Sequence, residues 1–418
     1  MPGSTKTNHL VIGLTGPVGS GVSTVAEVLG QNGFKVVKLS APIKDELLRR
    51  EGRDPGTPIN EQTIPDFRKK LQDIGNDGRK KSSDYWLNQI DLPADCDLAI
   101  DGIRNYGEVL YLRNKYPQFF FLIALHASKE TQWNRVKDGV YHGHYHSFER
   151  DLQRDSAEEL PEGQQVSICV QQSDYVFVNE DDAGASNARC KRIFAQLEYD
   201  LQLMREADNL AAGSFCRPPT QDEVQMATAF AQSHMSRCLK RKVGAVIVNS
   251  KNLPLSVGYN ENPLGMKPCQ MEFQDCFKDG DMHKKLEKMR DICCPRCGTA
   301  IPDMQPPWKC PNTDCGENLK LLFFPSRNME LCTAIHAEER AIRSLGDRNA
   351  ECGILYVTTY PCFQCARHIV DAGIKRVVYV EAYPVSESEG FLRRNGVAVE
   401  PFAGFKAIAF NRVFKQMV

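Results

Sequence analysis

The sequence contains no apolar run long enough to cross a lipid bilayer. Its longest run, residues 119–125, is far shorter than the roughly 20 residues that a membrane-spanning helix needs. An excess of one charge is also lacking, because 52 Lys and Arg residues stand against 53 Asp and Glu residues. A dedicated nucleic-acid-binding protein usually carries a basic excess. The first ten residues lack the pattern of a secretory signal, so we expect a cytoplasmic protein without a membrane partner.

Disulfides are not expected either, although the sequence has 16 cysteines. In a chain without a secretory leader, so many cysteines favour metal ligands and thiols. The length of 418 residues exceeds the size at which one hydrophobic core stops growing, which predicts two domains. Pro218 and Pro219 interrupt any helix, and Thr220 with Glu223 fits a capping box that begins a new one. We predict a first domain over 1–206, a linker over 207–220 and a second domain over 221–418.

The first domain alternates short apolar segments with helical ones. Strands are predicted at 10–14, 35–39, 97–100, 119–125 and 175–178. Strands separated by helices are typical of a parallel sheet with right-handed crossovers. The sequence therefore predicts an α/β fold in which helices flank a parallel sheet.

A glycine-rich loop follows the first predicted strand and precedes a helix, which is the arrangement of a phosphate-binding loop. Its predicted nucleotide-binding residues are Gly16, Gly19, Gly21, Ser23 and Thr24. Val22 stands where the P-loop lysine is expected, so phosphoryl transfer would lose a major charge stabiliser. Asp101, which ends the third predicted strand, is a further candidate for this site, and a turn-forming role fits its position equally well.

The region up to about residue 200 resembles the P-loop nucleoside-monophosphate kinases, on the strand, loop and helix just described. The resemblance implies that this domain binds a nucleotide. Because Val22 replaces the lysine, we favour a nucleotide-sensing or degenerate kinase-like module over an active kinase.

The second domain contains a group of metal ligands in a fixed order. Glu338 follows His336 by two residues, and Pro361 directly precedes Cys362, with Cys365 three positions further on. A catalytic zinc takes three protein ligands and leaves one position for water, and His336, Cys362 and Cys365 can supply those three. Glu338 can then move protons beside the metal. This combination is the signature of zinc-dependent base deaminases.

On these motifs, residues from about 220 to 418 resemble the cytidine and deoxycytidylate deaminase family. The resemblance implies a cytidine-deaminase-like α/β/α domain with a catalytic Zn²⁺. It also implies a substrate contact from Asn260, although a turn-forming asparagine fits the same segment nearly as well. Tyr383 lies in a segment that resembles the deoxycytidylate branch and is a candidate to face the base, while a packing tyrosine is the preferred interpretation.

A cysteine-rich insertion interrupts this domain at about 265–330. Its spacing of CxxC, twelve residues and CxxxxC predicts a closed tetrahedral site for a structural zinc, in the manner of a zinc ribbon. The predicted ligands are Cys294, Cys297, Cys310 and Cys315, with Cys293 as an alternative to Cys294. A ribbon that contacts nucleic acid has weaker support because the basic residues are scattered. We interpret the neighbouring Cys269 and Cys276 as ordinary thiols and His283 as a surface histidine.

The fusion of a kinase-like domain to a deoxycytidylate-type deaminase resembles the bacterial anti-phage dCTP deaminases. The resemblance implies hydrolysis of dCTP or dCMP to dUTP or dUMP and ammonia, which would deplete the nucleotide pool during phage replication. It further implies a nucleotide effector at the first domain and a homo-oligomer. One alternative function is deamination of a base within RNA or DNA, which the charge balance disfavours. Another is a non-catalytic, zinc-stabilised nucleotide sensor.

Overall fold

A computed structural model describes residues 9–54, 57, 63–64, 67–93, 95–157, 162–180, 187–206, 217–277, 296–297, 299, 312, 314–315, 332–381 and 386–414. These residues form two β-sheets with flanking helices, which confirms the predicted α/β class. None of the helices in these ranges combines the length and the apolar composition that crossing a membrane requires.

The first sheet is built by the N-terminal half of the chain. Its parallel strands are β1 Val11–Thr15, β2 Lys35–Lys38, β3 Leu98–Asp101, β4 Phe120–His126 and β5 Tyr175–Val178. They stand in the order β5-β4-β1-β3-β2. The central strand β1 pairs Val11 with Leu98 on one side and with Phe120 on the other. Every residue of β1 is buried, as expected for a parallel strand covered by helices on both faces.

Eight helices accompany this sheet among the described residues. They are α1 Val22–Gln31, α2 Ser40–Arg50, α3 Phe67–Lys81, α4 Tyr106–Lys115, α5 Lys129–Val136, α6 Tyr145–Ala157, α7 Val166–Gln171 and α8 Asn187–Glu206. Helix α1 follows β1 directly, and its apolar residues Val25, Val28 and Leu29 pack into the main core of the sheet. The loop between β1 and α1 is therefore held rigidly at the carboxyl end of the central strand.

The second sheet belongs to the C-terminal half. Its strands are β6 Gly244–Val248, β7 Pro254–Tyr259, β8 Ile354–Thr359, β9 Arg376–Glu381 and β10 Ala398–Pro401. They stand in the order β10-β9-β8-β6-β7. Strand β6 is antiparallel to β7 and β8, whereas β8, β9 and β10 are parallel. The antiparallel pair explains why β6 and β7 need only a short hairpin connection.

The helices described in this half are α9 Gln221–Ser233, α10 Cys269–Glu272, α11 Ala337–Arg343, α12 Phe363–Asp371 and α13 Ser386–Arg394. The predicted capping box begins α9. The Thr220 hydroxyl accepts from the Glu223 main-chain N–H at 3.2 Å, and the Glu223 carboxylate accepts from the Thr220 N–H at 2.7 Å.

The chain returns to the first sheet near its C-terminal end. A two-residue strand, β11 Gly404–Phe405, lies antiparallel to β5, and helix α14 Ala407–Val413 follows it. Phe405, Ala409 and Val413 are buried in the core of the first sheet. The predicted second domain, 221–418, thus contributes a strand and a helix to the first sheet. So short a strand carries too little pattern for recognition from sequence, and it covers the otherwise open edge of β5.

The two halves also share one buried apolar cluster. Ala124 and Val176 of the first sheet belong to it together with Met226, Val378 and Phe402 of the C-terminal half. A core that includes strands of both sheets fixes their relative position more firmly than a polar domain interface would.

Candidate active site

His336 lies at the entrance of helix α11, where it is the residue that precedes the first helical turn. The helix packs against strand β7 at Gly258. A Cβ atom on Gly258 would collide with the Ala337 carbonyl and would lie 2.5 Å from the Ala341 main-chain nitrogen. Glycine at this position therefore allows the close approach that sets the depth of the helix.

Cys362 and Cys365 occupy the start of helix α12 in the same way. Cys362 precedes the first turn, and Cys365 lies within it and is buried. The His336 Nδ1 atom is 3.4 Å from the Cys362 Sγ and 3.3 Å from the Cys365 Sγ. Tetrahedral zinc with ordinary Zn–S and Zn–N bonds separates such atoms by about 3.6 Å. The three side chains therefore fit a zinc ion, and their ligand atoms all lie within 4.8 Å of one another.

Hydrogen bonds among these ligands shift their pKa values. Bonding to Cys365 and then to His336 lowers the pKa of Cys362 to about 4, against the opposing effect of burial. Bonding to Cys362 in turn raises the pKa of His336 to about 9. The arrangement thus stabilises a thiolate, which is the form of cysteine that binds metal.

Glu338 lies in the first turn of α11 and is only 4% exposed. Burial raises the pKa of its carboxyl group to about 7. Its carboxylate is outside the group of ligand atoms formed by His336, Cys362 and Cys365. The structure thus brings a buried carboxyl group close to the metal ligands while leaving it available for proton transfer.

A cavity of about 310 Å³ opens beside the metal ligands. This volume is within the range of pockets that hold small organic ligands. Besides His336 and Cys365, its lining includes Glu339, Gln364 and His368. No sequence motif singles out these three residues, although His368 lies three positions after Cys365 and so shares its helix face.

Asn260 is buried directly after β7, and both ends of its side chain contact the main chain. Its Oδ1 atom accepts from the Val243 N–H at 2.7 Å, and its Nδ2 atom donates to the Arg241 carbonyl at 2.8 Å. In this structure Asn260 therefore fixes the segment that enters β6. Its predicted substrate contact stays a prediction.

Several predicted site residues lie outside the described part of the chain, namely Tyr383, Cys294 and Cys310. Of the predicted ribbon ligands, Cys297 and Cys315 are described. The neighbouring Arg296 donates to the Cys315 carbonyl at 3.1 Å, so these two described residues are in contact. The structural zinc itself remains a prediction.

The predicted phosphate-binding loop lies between β1 and α1. Gly19 and Gly21 have φ angles of 80° and 94°, which residues other than glycine rarely adopt. The Ser23 hydroxyl donates to the Asp101 carboxylate at 3.3 Å, and burial raises the pKa of Asp101. The structure thus brings Ser23 and Asp101 together beside the loop.

Two residues that no sequence motif singles out, Arg135 and Asn179, bind carbonyl groups of this loop. Arg135 donates to the Gly19 carbonyl at 3.1 Å, and Asn179 donates to the Ser20 carbonyl at 2.8 Å. Only the fold reveals these contacts, because more than 110 residues separate Arg135 from the loop.

The chain is similar to two kinds of known protein. Residues 219–381 match the family model of the cytidine and deoxycytidylate deaminase zinc-binding region. The deoxycytidylate deaminase of Saccharomyces cerevisiae is 28% identical over 232 residues, which are 55% of this chain and 58% of the yeast enzyme. The chain thus spans less than two thirds of that relative. The deoxycytidylate deaminase of Mycobacterium phage D29 is 27% identical over 38% of this chain and 94% of its own length.

A different relative, a UPF0200 protein of Methanothermobacter thermautotrophicus, is 26% identical over 46% of this chain and 92% of its own length. Among solved structures, the dCMP deaminase of cyanophage S-TIM5 covers 44% of this chain with 22% identity and a TM-score of 0.27. The segment that matches this family model contains His336, Glu338, Cys362 and Cys365.

Proposed function

We propose that this protein is a zinc-dependent hydrolase that deaminates deoxycytidine nucleotides, with dCMP and dCTP as candidate substrates. The observation that carries the proposal is the cluster of His336, Cys362 and Cys365 beside the buried Glu338. The relatives named deoxycytidylate deaminase support the choice of a cytosine nucleotide.

Each of these side chains has a role in the proposed reaction. His336, Cys362 and Cys365 would hold the zinc ion, which when bound lowers the pKa of water towards about 7. Glu338 would accept a proton from the attacking water and deliver protons to the ring nitrogen and the departing amine. A carbon–oxygen bond forms at the ring carbon as its bond to the exocyclic nitrogen breaks, so one water is consumed and one ammonia is released.

A substrate panel tests this proposal. Ammonia release is measured from dCMP, dCTP, CMP, CTP and a cytosine-containing oligonucleotide, with the wild type and Glu338→Gln. We expect release from a deoxycytidine nucleotide and its loss in the variant. Turnover confined to the oligonucleotide would instead favour a base-editing function, and nucleotide binding without turnover would favour a sensor.

For the first half, we propose that the loop between β1 and α1 binds a nucleotide that regulates deamination. The left-handed conformations of Gly19 and Gly21 and the contact between Ser23 and Asp101 support this role. Val22 argues against phosphoryl transfer. The test is to add dTTP or dCTP to the deamination assay and to compare the wild type with Gly19→Val.

We further propose that the enzyme depletes deoxycytidine nucleotides in phage-infected cells. This part rests on the resemblance of the two-part arrangement to anti-phage dCTP deaminases. Phage plating efficiency on cells that express the wild type or Glu338→Gln tests it, with nucleotide pools measured in the same cultures. Equal plating on both strains would contradict the proposed defence role without affecting the proposed chemistry.

A further inference from the structure

Asn179 joins the loop between β1 and α1 to the end of strand β4. Its side-chain Nδ2 atom donates to the Ser20 carbonyl at 2.8 Å, and its main-chain N–H donates to the His126 carbonyl at 2.8 Å. Arg135, which binds the Gly19 carbonyl, also donates to the Asn179 carbonyl at 2.9 Å. Asn179 is only 2% exposed. A displacement of the loop backbone therefore acts on His126 through a single buried residue.

The ring of His126 extends this contact into the C-terminal half of the chain. His126 is the last residue of β4, and its ring meets the Tyr379 ring edge to face, with 5.8 Å between the centroids. Tyr379 in turn meets Tyr360 edge to face at 4.7 Å. Both separations are within the range of about 4.5–7 Å that favourable aromatic pairs occupy. The three rings thus form a continuous chain from the first sheet to the second.

Tyr360 lies two residues before the metal ligand Cys362. Its main-chain N–H donates to the Glu381 carbonyl at 2.8 Å, which attaches it to the end of β9. The residue between Tyr360 and Cys362 is Pro361. Because proline fixes its own φ angle, Cys362 has little freedom to move independently of Tyr360.

The two tyrosines also pack behind the other metal ligands. They belong to one buried apolar cluster with Ala337 and Ala366. These two alanines directly follow the ligands His336 and Cys365. Close-packed interiors transmit displacements because they contain little free space. A shift of the tyrosine rings therefore acts on all three ligands of the predicted zinc.

The contact between His126 and Tyr379 is one between uncharged rings. Burial lowers the pKa of His126 to about 4, against the opposing effect of the Glu180 and Glu389 carboxylates. The imidazole is therefore neutral near pH 7. Phenylalanine at position 126 would keep an uncharged ring in this place, whereas alanine would remove the ring and keep the main-chain bond to Asn179.

We propose that His126, Tyr379 and Tyr360 couple the loop between β1 and α1 to the metal ligands, so that a nucleotide bound at the loop changes the deamination rate. The inference rests on the proposed regulatory role of the loop. None of the three rings is among the described residues that line the active-site cavity, so they are positioning residues. A nucleotide acts through them only if it binds one arrangement of the loop more tightly than another.

The response to dTTP tests the coupling. Deamination of the deoxycytidine nucleotide that the wild type converts is measured with and without dTTP in the wild type, His126→Ala and the control His146→Ala, which changes an exposed histidine. We expect dTTP to change kcat/KM of the wild type and the control by about 5–150-fold, the usual size of coupling between two sites. In His126→Ala this change should be largely lost, while calorimetry still detects dTTP binding. Gly19→Val should lose the binding itself.

Two further variants separate coupling from folding. His126→Phe keeps a ring against Tyr379 and should restore most of the dTTP response. His126→Ala combined with Tyr379→Leu should reduce the response no further than His126→Ala alone, because both substitutions remove the same contact.

Cobalt provides a readout that does not depend on turnover. In the Co²⁺-loaded protein, dTTP should shift the thiolate-to-cobalt absorption of the wild type and His126→Phe but not of His126→Ala. Loss of a merely structural contact would instead alter the spectrum equally with and without dTTP.

The possible outcomes distinguish this inference from the proposed function. A full dTTP response in folded His126→Ala would overturn the coupling and leave the proposed regulation intact. A wild type that neither binds nor responds to dTTP would overturn both the coupling and regulation by this nucleotide. Ammonia release without dTTP tests the proposed deaminase function independently of either result.

Discussion

Gln171 of α7 and Glu381 of β9 are joined by a hydrogen bond of 2.8 Å between the Nε2 and Oε2 atoms. Ser167, one turn earlier on α7, donates to the same carboxylate. Arg241 forms an ion pair with it, at 3.1 Å between Nη2 and Oε1, and the Arg241 carbonyl accepts from Asn260. Glu381 thus connects helix α7 of the first half with Arg241, whose carbonyl binds the predicted substrate residue Asn260.

Replacing Glu381 by glutamine tests this connection. The variant keeps the shape of the side chain but removes the charge that Arg241 and the α7 side chains contact. We expect the free energy of unfolding to fall by about 1–3 kcal/mol, measured by urea denaturation. We also expect the response of deamination to added dTTP or dCTP to weaken. Glu351→Gln, an exposed position, is the control, and equal stability and equal response in both variants would contradict the coupling.

Substitutions of a metal ligand and of Glu338 should have different effects on zinc content and on deamination. Cys365→Ser is expected to remove the catalytic zinc and all measurable deamination, because the site loses one of its three protein ligands. Glu338→Gln is expected to keep the zinc and to lower kcat by at least about 10²-fold, the range of general acid–base catalysis. Metal analysis and ammonia release on the same samples check both. Loss of zinc from Glu338→Gln would mean that the carboxylate holds metal instead.

Gly258→Ala should displace helix α11, which carries Glu338 and packs against Gly258 of β7. The added methyl group would collide with the Ala337 carbonyl, so β7 and α11 must move apart. Overpacking of this kind costs about 1–3 kcal/mol, and we expect both the thermal midpoint and the deamination rate to fall. Gly139→Ala is the matched control, because its added Cβ would meet no atom within 4 Å. A fully active and stable Gly258→Ala protein would show that the helix tolerates displacement.

Glu223 contacts Phe405 of the first sheet, so it should make the stability of the protein sensitive to acid. Its buried carboxylate accepts from Arg217 at 2.6 Å and from the Phe405 N–H at 3.0 Å. Burial opposes ionisation, but these hydrogen bonds lower the pKa of Glu223 below 4.5. Its contribution to stability is therefore fully present above pH 4.5 and is lost as the pH falls through the lowered pKa.

Urea denaturation of the wild type and Glu223→Gln over a range of pH values measures this contribution. We expect the variant to be less stable at pH 7 by about 1–3 kcal/mol. The difference should shrink as the pH is lowered below 4.5, the usual pKa of a glutamate. A difference that stays constant down to the acid limit would exclude the charge of Glu223 as its source.

The parts of the fold that sequence could predict are those with a strong local pattern. The strand Tyr175–Val178 agrees with its predicted bounds, and β4 is shifted by one residue at each end. The metal ligands were predictable because His336, Cys362 and Cys365 sit in short motifs with fixed spacing. Contacts between distant segments left no such pattern, which is why the contacts of Glu381 and Arg135 appear only in the structure.

The strand Gly404–Phe405 has a consequence for the order in which the protein can fold during translation. Strand β5 is complete more than 220 residues before its antiparallel neighbour leaves the ribosome. Until then, its open edge can pair with another nascent chain. The edge of β5 is therefore covered only after the whole deaminase segment has been synthesised. A protein truncated before residue 404 should accumulate as aggregates even though both sets of site residues are intact.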